Sequence, residues 1–329
     1  MDPAAPTCVL VTGGAGYIGS HAALELLRSG HRVIIVDTLE RGSRETVKRL
    51  EGHGNLTFIQ GNCGDRDLLD TILPDVDCIM HFAAYAIVGE SVEFPDRYKR
   101  NNVEVTRSLL DAAIAAGVGK FILSSTCAIY GSPTADQMPV NEDCPFDPQS
   151  PYGQSKIDGE AMLSEATEGH SLASGALRFF NVIGADDSGI LPEPAPKGRL
   201  ISTCMQAARG QLKTFTINGT DYETKDGTAI RDFVHVMDIV NAHILLMKKL
   251  SPGTMQIYNV GCGHGTSVRE ILEAVEKVTG KTVNTVEGER RPGDIPAIWA
   301  DSSAIRQALD WHPQYEDIEA MVRTSWLAG

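Results

Sequence analysis

Through the first 130 residues, short apolar runs alternate with stretches in which apolar residues recur every three or four positions. The runs CVLVT (8–12), RVIIVD (32–37), LTFIQG (56–61), DCIMHFAA (77–84) and KFILSS (120–125) read as strands buried on both faces. Between them, YIGSHAALELLRSG and NNVEVTRSLLDAAIAAG carry the three- and four-residue spacing of core-facing helices. Each of these helical patterns ends in a glycine, Gly30 and Gly117, which is a C-terminal stop signal. Strand–helix alternation predicts a doubly wound parallel sheet in an α/β fold.

The texture changes near Pro133. GSPTADQMPVNEDCPFDPQSP is rich in proline and polar residues and reads as an ordered connecting loop. Past Asn181 the alternation weakens, and Gly/Pro-rich segments such as GILPEPAPKG and NGTDYETKDGT appear. That pattern predicts a smaller second domain with long loops, where specificity residues usually sit. MQIYNVGCG (255–263) reads as one more strand returning to the main sheet.

The first strand runs through a glycine-rich turn into a helix. Gly13, Gly16 and Gly19 form GxxGxxG, a variant of the dinucleotide fingerprint of Rossmann-type folds. Glycines there permit a tight turn, close backbone approach to a pyrophosphate and close helix–strand packing. The next strand ends in Asp37, where a carboxylate can accept hydrogen bonds from adenosine ribose hydroxyls and repel a 2′-phosphate. NAD is therefore favoured over NADP, although Arg41 and Arg44 follow closely and can soften that repulsion.

SPYGQSKIDGE raises a second chemical question. Of the eight tyrosines, only Tyr152 has a lysine, Lys156, four residues later, which places the two side chains on one helix face. Upstream, Ser124, Ser125 and Thr126 lie at the C-terminal end of the KFILSS strand, where open parallel sheets bind ligands. Tyrosine is a poor base at its ordinary pKa of about 10. Lys156 and a positive nicotinamide ring would both favour the phenolate. Thr126 or Ser125 can then orient a substrate hydroxyl while Tyr152 takes its proton and hydride passes to the nicotinamide.

Charge and cysteine content narrow the setting. A net charge of −14 argues against nucleic acid or an anionic membrane as the main partner. Any bound phosphate must be held by local donors, such as helix N-termini and a few arginines. The seven cysteines include no CxxC pair, which reads as reduced thiols without a zinc site and points to the cytoplasm. MDPAAPTCVL shows no signal-peptide pattern, and no apolar run approaches the roughly 20 residues of a membrane span.

The motifs VTGGAGYIGSH, HFAAYAIVGESVEFP, NNV, SSTCAIYG, SPYGQSK, LRFFNVIGA, DYETKDGTAIRDFVHVMDI, YNVGCGHGTSV and RRPGDIPAIWAD span nearly the full length. On them the chain resembles the extended short-chain dehydrogenase/reductase superfamily and, within it, the UDP-glucose (UDP-galactose) 4-epimerase family. The DYxTxDGTxxRDxxHV stretch is the most specific of these. The resemblance implies a tightly held NAD that transiently oxidises a UDP-sugar at C4 and returns hydride to the other face. It assigns the chemistry to Thr126, Tyr152 and Lys156, with Ser125 beside them. It lines the NAD site with Gly13, Gly16, Tyr17, Ile18, Gly19, Asp37, Thr38, Gly42, Asn62, Cys63, Phe82, Ala83, Ala84, Asn101, Ser124 and Phe180, besides Tyr152 and Lys156. For the nucleotide sugar it names Asn181, Arg199, Leu200, Thr216, Asn218, Arg231, Arg291 and Asp294, besides Thr126 and Tyr152. The likeness further implies an NAD domain of residues 1–183 plus about 230–262. A sugar-nucleotide domain would take about 184–229 plus 263–329. A homodimer through a four-helix contact, no metal and no nucleic-acid partner complete the expectation.

Several positions depart from the family pattern. Asn62 replaces a carboxylate near the adenine, and Ala86 replaces a lysine that reaches the nicotinamide-side ribose, which would loosen NAD. Asn218 stands where an aromatic stacks on uracil. Arg199 replaces an asparagine, and Ile298 stands where the family gates the space around the sugar's C2 substituent. The residues after Thr126, Cys127 and Ala128, lack the acid pair of a 4,6-dehydratase. A pentose or uronate epimerase, or a uronate decarboxylase, remains an alternative, because Arg199 would suit a carboxylate. So does a non-catalytic NAD-binding regulator, which would have no need of the Tyr–Lys–Thr set.

Overall fold

The five apolar runs form strands because their β-branched residues pack on pleated, covered faces. In the computed structural model, which describes residues 7–193, 199–291 and 293–328, they are β1 (Cys8–Thr12), β2 (Arg32–Asp37), β3 (Leu56–Gln60), β4 (Cys78–His81) and β5 (Lys120–Thr126). Further along the chain come β6 (Ala173–Phe179), β7 (Asn181–Ile183), β8 (Phe215–Asn218), β9 (Ile230–Arg231), β10 (Phe233–His235) and β11 (Met255–Val260). Three short strands follow, β12 (Thr266–Ser267), β13 (Thr285–Gly288) and β14 (Ala297–Ile298). The chain divides into two compact units. One holds Met1–Ile129, Pro148–Arg178 and Val240–Tyr258; the other holds Tyr130–Asp147, Phe179–Ile239 and Asn259–Gly329.

The first unit is built on a seven-stranded sheet of order β11-β6-β5-β4-β1-β2-β3. The pairings β1–β2, β2–β3, β1–β4 and β4–β5 are parallel. The order reverses between β1 and β4, the topological switch point at which such sheets bind dinucleotides. The helices are α1 (Tyr17–Arg28), α2 (Arg44–Leu50), α3 (Arg66–Ile72), α4 (Val88–Glu93), α5 (Pro95–Tyr98), α6 (Val105–Ala116) and α7 (Pro151–Gly169). Leu10, Ile79, Phe121, Leu109 and Leu163 meet in one buried cluster, each contributing about 1.5–3 kcal/mol by leaving water. Helix α6 stops as expected at Gly117, which adopts a left-handed φ of 74°.

Four expectations change. β3 lies at the sheet edge and is only partly covered, so it is not buried on both faces. β4 stops at His81 rather than Ala84, leaving Phe82–Ala84 outside the strand, with the Ala83 backbone close to Gly13. The helix expected from Asn101 begins as a π-helical turn, Lys99–Glu104. β6 is an additional central strand; its sequence ASGALRF is small and weakly β-prone, and Gly175 lets it pack against Leu246. The predicted return strand is β11, paired beside β6.

In the second unit, β7 pairs with β10, β13 with β8, and β9 lies between β12 and β14. Its helices are α8 (Leu200–Ala208), α10 (Val268–Thr279), α11 (Ser303–Leu309) and α12 (Ile318–Leu327); α9 (Val236–Lys249) begins here and ends in the first unit. The predicted loop after Pro133 holds one 3₁₀ turn, Ala135–Gln137, and a bridge between Val140 and Ala300. Residues 194–198 of the GILPEPAPKG segment, Pro292, and the first six residues on which the leader reading rests lie outside the described residues. Among the described residues, no helix is long and apolar enough to cross a membrane and no cluster suits a metal ion.

Candidate active site

The glycine turn leaves β1 at the switch point. Gly13 has φ 71°, and a Cβ on it would lie 2.7 Å from the Ala83 nitrogen. A Cβ on Gly19 would lie 2.4 Å from the Gly13 carbonyl oxygen. Both positions therefore require glycine. Gly16 caps α1 without a side-chain hydrogen bond, so no side chain covers the helix N-terminus, the end of a helix that favours an anion. Gly42 packs against Ala15 of the same turn.

Asp37 ends β2, buried, with Oδ2 accepting from the Ala15 amide at 3.1 Å and Oδ1 from the Leu39 amide at 2.8 Å. Burial raises its pKa against these hydrogen bonds, yet a carboxylate with two such donors keeps lone pairs for a ribose. Arg41 and Arg44, expected to soften its charge, are engaged elsewhere: Arg41 pairs with Glu90, and Arg44 donates to Gln60 at 2.6 Å. Thr38 is exposed and accepts from the Glu40 amide. The loop after β2 is tied to the loop after β4, because Tyr85 donates to Glu40, which also pairs with Arg97. The cradle of backbone amides, the missing Cβ atoms and the Asp37 carboxylate fit a dinucleotide.

Beneath the turn lies a buried hydrogen-bonded chain that sequence reasoning missed. Thr106 Oγ1 donates to the Asn102 carbonyl at 2.7 Å, so it accepts from His81 Nε2 at 2.9 Å. That assignment leaves His81 Nδ1 to accept from Thr12 Oγ1 at 2.7 Å. Burial lowers the His81 pKa to about 3, so the ring is neutral. Thr12 in turn fixes the end of β1. The Asn102 side chain brackets Tyr85, accepting from its amide and donating to its carbonyl at 2.9 Å each, and reaches Ser155 at 3.1 Å. Asn101 donates to Asn102 at 3.0 Å.

Helix α7 starts where the sequence dictates: the Ser150 hydroxyl accepts from the Gly153 amide and Pro151 fills the first position. Gly153 permits close approach to the Ala128 carbonyl, where a Cβ would lie at 2.7 Å. Tyr152 and Lys156 are consequently buried at the end of β5. The Tyr152 phenol hydrogen-bonds Thr126, and Lys156 Nζ donates to the Ser124 carbonyl at 2.8 Å. Tyr98 stands edge-on to Tyr152, ring centroids 6.4 Å apart, its own hydroxyl clamped by Ile87.

Two expectations gain detail here. Ser125 donates to Glu160, itself in a buried ion pair with Arg178 at 2.7 Å, while Thr126 is the hydroxyl bonded to Tyr152. The Tyr152 pKa is not lowered: burial pushes it up to about 12, with the Thr126 hydrogen bond opposing. Burial also brings Lys156 down to about 8, with Glu160 opposing. Desolvation of each group outweighs any help between them in the protein by itself.

Other expected cofactor residues also make contacts within the first unit. Asn62 Oδ1 accepts from Gly64 at 2.8 Å in the turn before α3. Cys63 is a buried thiol with its pKa raised to about 12. Phe82 lies against His243 at 4.7 Å, and His243 meets Ser124 at 3.1 Å. Ala83 and Ala84 are half-buried, and Ala86 is exposed.

Phe180 and the expected nucleotide residues belong to the second unit. Phe180 is buried, its amide donating to the Val260 carbonyl at 3.1 Å. Asn181 donates from its amide to the Asp232 carbonyl at 2.9 Å, with its side chain half-buried. Arg231 Nη1 donates to the Ile230 carbonyl at 2.8 Å, while the buried Asp232 carboxylate collects the amides of Cys262, Gly263 and Ala300. Asn218 donates to the Thr216 carbonyl at 3.2 Å; Thr216, Arg291 and Asp294 are exposed. Leu200 opens α8. Arg199 donates to the Val182 carbonyl at 2.6 Å and faces the buried Glu193 carboxylate at 3.6 Å.

The DYETKDGT motif owes its specificity to folding on itself. Asp226 accepts from the Thr228 amide and hydroxyl and from Ser267, while Tyr222 donates its amide to the Gly227 carbonyl.

The model of the NAD dependent epimerase/dehydratase family matches residues 9–261. UDP-arabinose 4-epimerase 1 of Arabidopsis thaliana is 43% identical over 97% of this chain and 78% of its own length. UDP-glucose 4-epimerase of Azospirillum brasilense is 41% identical over 98% of this chain and 92% of its own. The crystal structure of the UDP-glucose 4-epimerase from Stenotrophomonas maltophila, with bound NAD and formylated UDP-arabinopyranose, superposes with a TM-score of 0.92 at 35% identity. It covers 98% of this chain and 97% of that one.

Proposed function

The chain belongs to the NAD-dependent epimerase/dehydratase family, and from that premise we propose that it is a UDP-sugar 4-epimerase. It inverts C4 of a UDP-hexose or UDP-pentose by transient oxidation to the 4-keto sugar and return of hydride. The observation that carries this reading is the buried Thr126–Tyr152–Lys156 group at the end of β5, in the same unit as the glycine cradle.

NAD, when bound, supplies the hydride acceptor and a positive ring that favours phenolate at Tyr152. Tyr152 then takes the O4 proton in the oxidising direction and gives it back in the other. Thr126 orients the O4 hydroxyl, and Lys156, buried and cationic below about pH 8, stabilises the phenolate. Gly13, Gly16 and Gly19 hold the pyrophosphate at the start of α1, and Asp37 holds the adenosine ribose. In the second unit, Asn181, Arg231, Arg291 and Asp294 hold the nucleotide.

A neutral sugar is the better substrate. The cation that would suit a uronate, Arg199, already faces the Glu193 carboxylate at 3.6 Å inside its own unit. The Arabidopsis and Azospirillum relatives are, by name, UDP-arabinose and UDP-glucose 4-epimerases, which supports a pentose as fully as a hexose. Homodimerisation through α6 and α7 and residence in a reducing cytoplasm complete the proposal; seven free thiols, six of them buried, support the latter.

Mass spectrometry of the purified protein with a panel of UDP-sugars tests the reading. Expected are bound NAD and interconversion of C4 epimers, with UDP-glucuronate slower than UDP-galactose or UDP-arabinose. Fastest turnover of UDP-glucuronate contradicts the substrate assignment. NAD binding without turnover of any nucleotide sugar contradicts the enzyme.

A further inference from the structure

Tyr222 lies in the most specific motif of the chain, and neither the sequence reading nor the proposed mechanism gives it a task. Its side chain is 5% exposed. Its hydroxyl oxygen is buried and meets no donor or acceptor among the described residues. A buried hydroxyl without a partner costs about 1–3 kcal/mol, so such a group calls for an explanation, and a bound group that completes its bonding is one.

The surroundings show why the ring is held there. The Arg290 guanidinium covers one ring face, 4.3 Å from the centroid, and is anchored by Asp221 at 2.8 Å. A Cβ on Gly219 would come within 2.5 Å of Tyr222 Cε2, so Gly219 is what lets the ring in. The Tyr222 backbone is fixed by Gly227 at 2.9 Å. Asp294 and Arg231, two residues assigned above to the nucleotide, act electrostatically on the phenol. The hydroxyl is thus buried and unsatisfied among the described residues, on a ring fixed by Arg290 and Gly219, with Asp294 and Arg231 acting on it.

We propose that Tyr222 is a nucleotide-binding residue whose hydroxyl donates to an oxygen of the UDP moiety, on the ribose or the diphosphate, alongside Arg231 and Asp294. This rests on the reading of the chain as a UDP-sugar enzyme. Tyr222 touches no reacting atom in this scheme and sets affinity for the nucleotide.

Tyr222→Phe separates this role from a structural one, because its two readouts move in opposite senses. Removing an unsatisfied buried hydroxyl leaves the melting temperature of ligand-free protein equal or higher. UDP affinity, by calorimetry or fluorescence, falls about 5- to 20-fold, the worth of one to two kcal/mol, and KM rises with kcat unchanged. Equal losses for uridine, UMP and UDP place the partner on the ribose; a loss that grows from uridine to UMP or from UMP to UDP places it on the diphosphate. UDP affinity within twofold of the parent overturns the inference. So does a lowered melting temperature, which would mean that the hydroxyl has a partner within the protein. A parent protein that retains NAD but binds no UDP overturns the proposed function, and the inference with it.

Discussion

In the first unit, Thr126, Tyr152 and Lys156 are buried, and each is held by an internal partner. In the second, Thr216, Arg291 and Asp294 are exposed, and Tyr222 keeps a hydroxyl without a partner among the described residues. The difference separates two kinds of work. Proton and hydride transfer need groups fixed before substrate arrives, since reorganisation during the reaction would raise the barrier. Recognition of a nucleotide allows side chains whose bonding is completed by the ligand. Substitutions in the first unit should therefore change turnover or cofactor retention, and those in the second should change KM.

The largest expected effect is at Tyr152. Tyr152→Phe should lower kcat about 10³-fold, within the range for a lost general base, with UDP affinity unchanged by titration. A comparable loss of UDP affinity would break the division between units. Gly13→Ala comes next: its Cβ meets the Ala83 backbone and its φ is left-handed. Strain of about 1–3 kcal/mol should lower NAD affinity roughly 10- to 100-fold, read as NAD content after purification. Retention of NAD at the parent level would contradict the cradle.

Stability against pH sharpens the contrast, because one buried group in each unit responds with opposite sign. His81 has its folded pKa near 3, below its unfolded 6.5. The unfolded chain alone takes up that proton, so the His81 contribution is present above pH 6.5 and is lost as pH falls toward 3. Between pH 7 and 5 the loss is about 2 kcal/mol. Asp232 has its folded pKa raised from 3.8 to about 6; its contribution is present below 3.8 and is lost as pH rises through 6. In denaturant titrations at both pH values, His81→Gln should lose less stability on acidification than the parent, and Asp232→Asn should lose more. Shifts of the same sign would contradict these burial effects.

The smallest effect is at Arg199. With its charge facing Glu193, Arg199→Gln should alter the preference between UDP-galactose and UDP-glucuronate less than threefold, as for a weak ion pair. A larger change would make Arg199 a specificity residue.

The first unit was legible because its requirements fall on single residue types at fixed spacing. Gly13 and Gly19 meet backbone where any Cβ would clash, and Tyr152 and Lys156 share a helix face. The strands β1, β2, β4 and β5 were announced by β-branched runs. β6 was not, since its small residues pack through shape rather than propensity. The hydrogen-bonded chain from Thr12 through His81 to Thr106 joins residues far apart in sequence, and no local pattern reports it. The choice between Ser125 and Thr126 needed Glu160 and Arg178, which arrive from α7 and β6. In the second unit, the self-folded DYETKDGT loop was visible as a motif, but Tyr222's unsatisfied hydroxyl emerges only when the ring is packed under Arg290.

Following C4 hydrogen through one turnover tests the central claim most directly. With UDP-galactose or UDP-arabinose deuterated at C4, the epimeric product should carry that deuterium at C4, with no hydrogen from water there and no net reduced NAD. Exchange of C4 hydrogen with solvent, or accumulation of reduced cofactor in step with product, would contradict transient oxidation and hydride return.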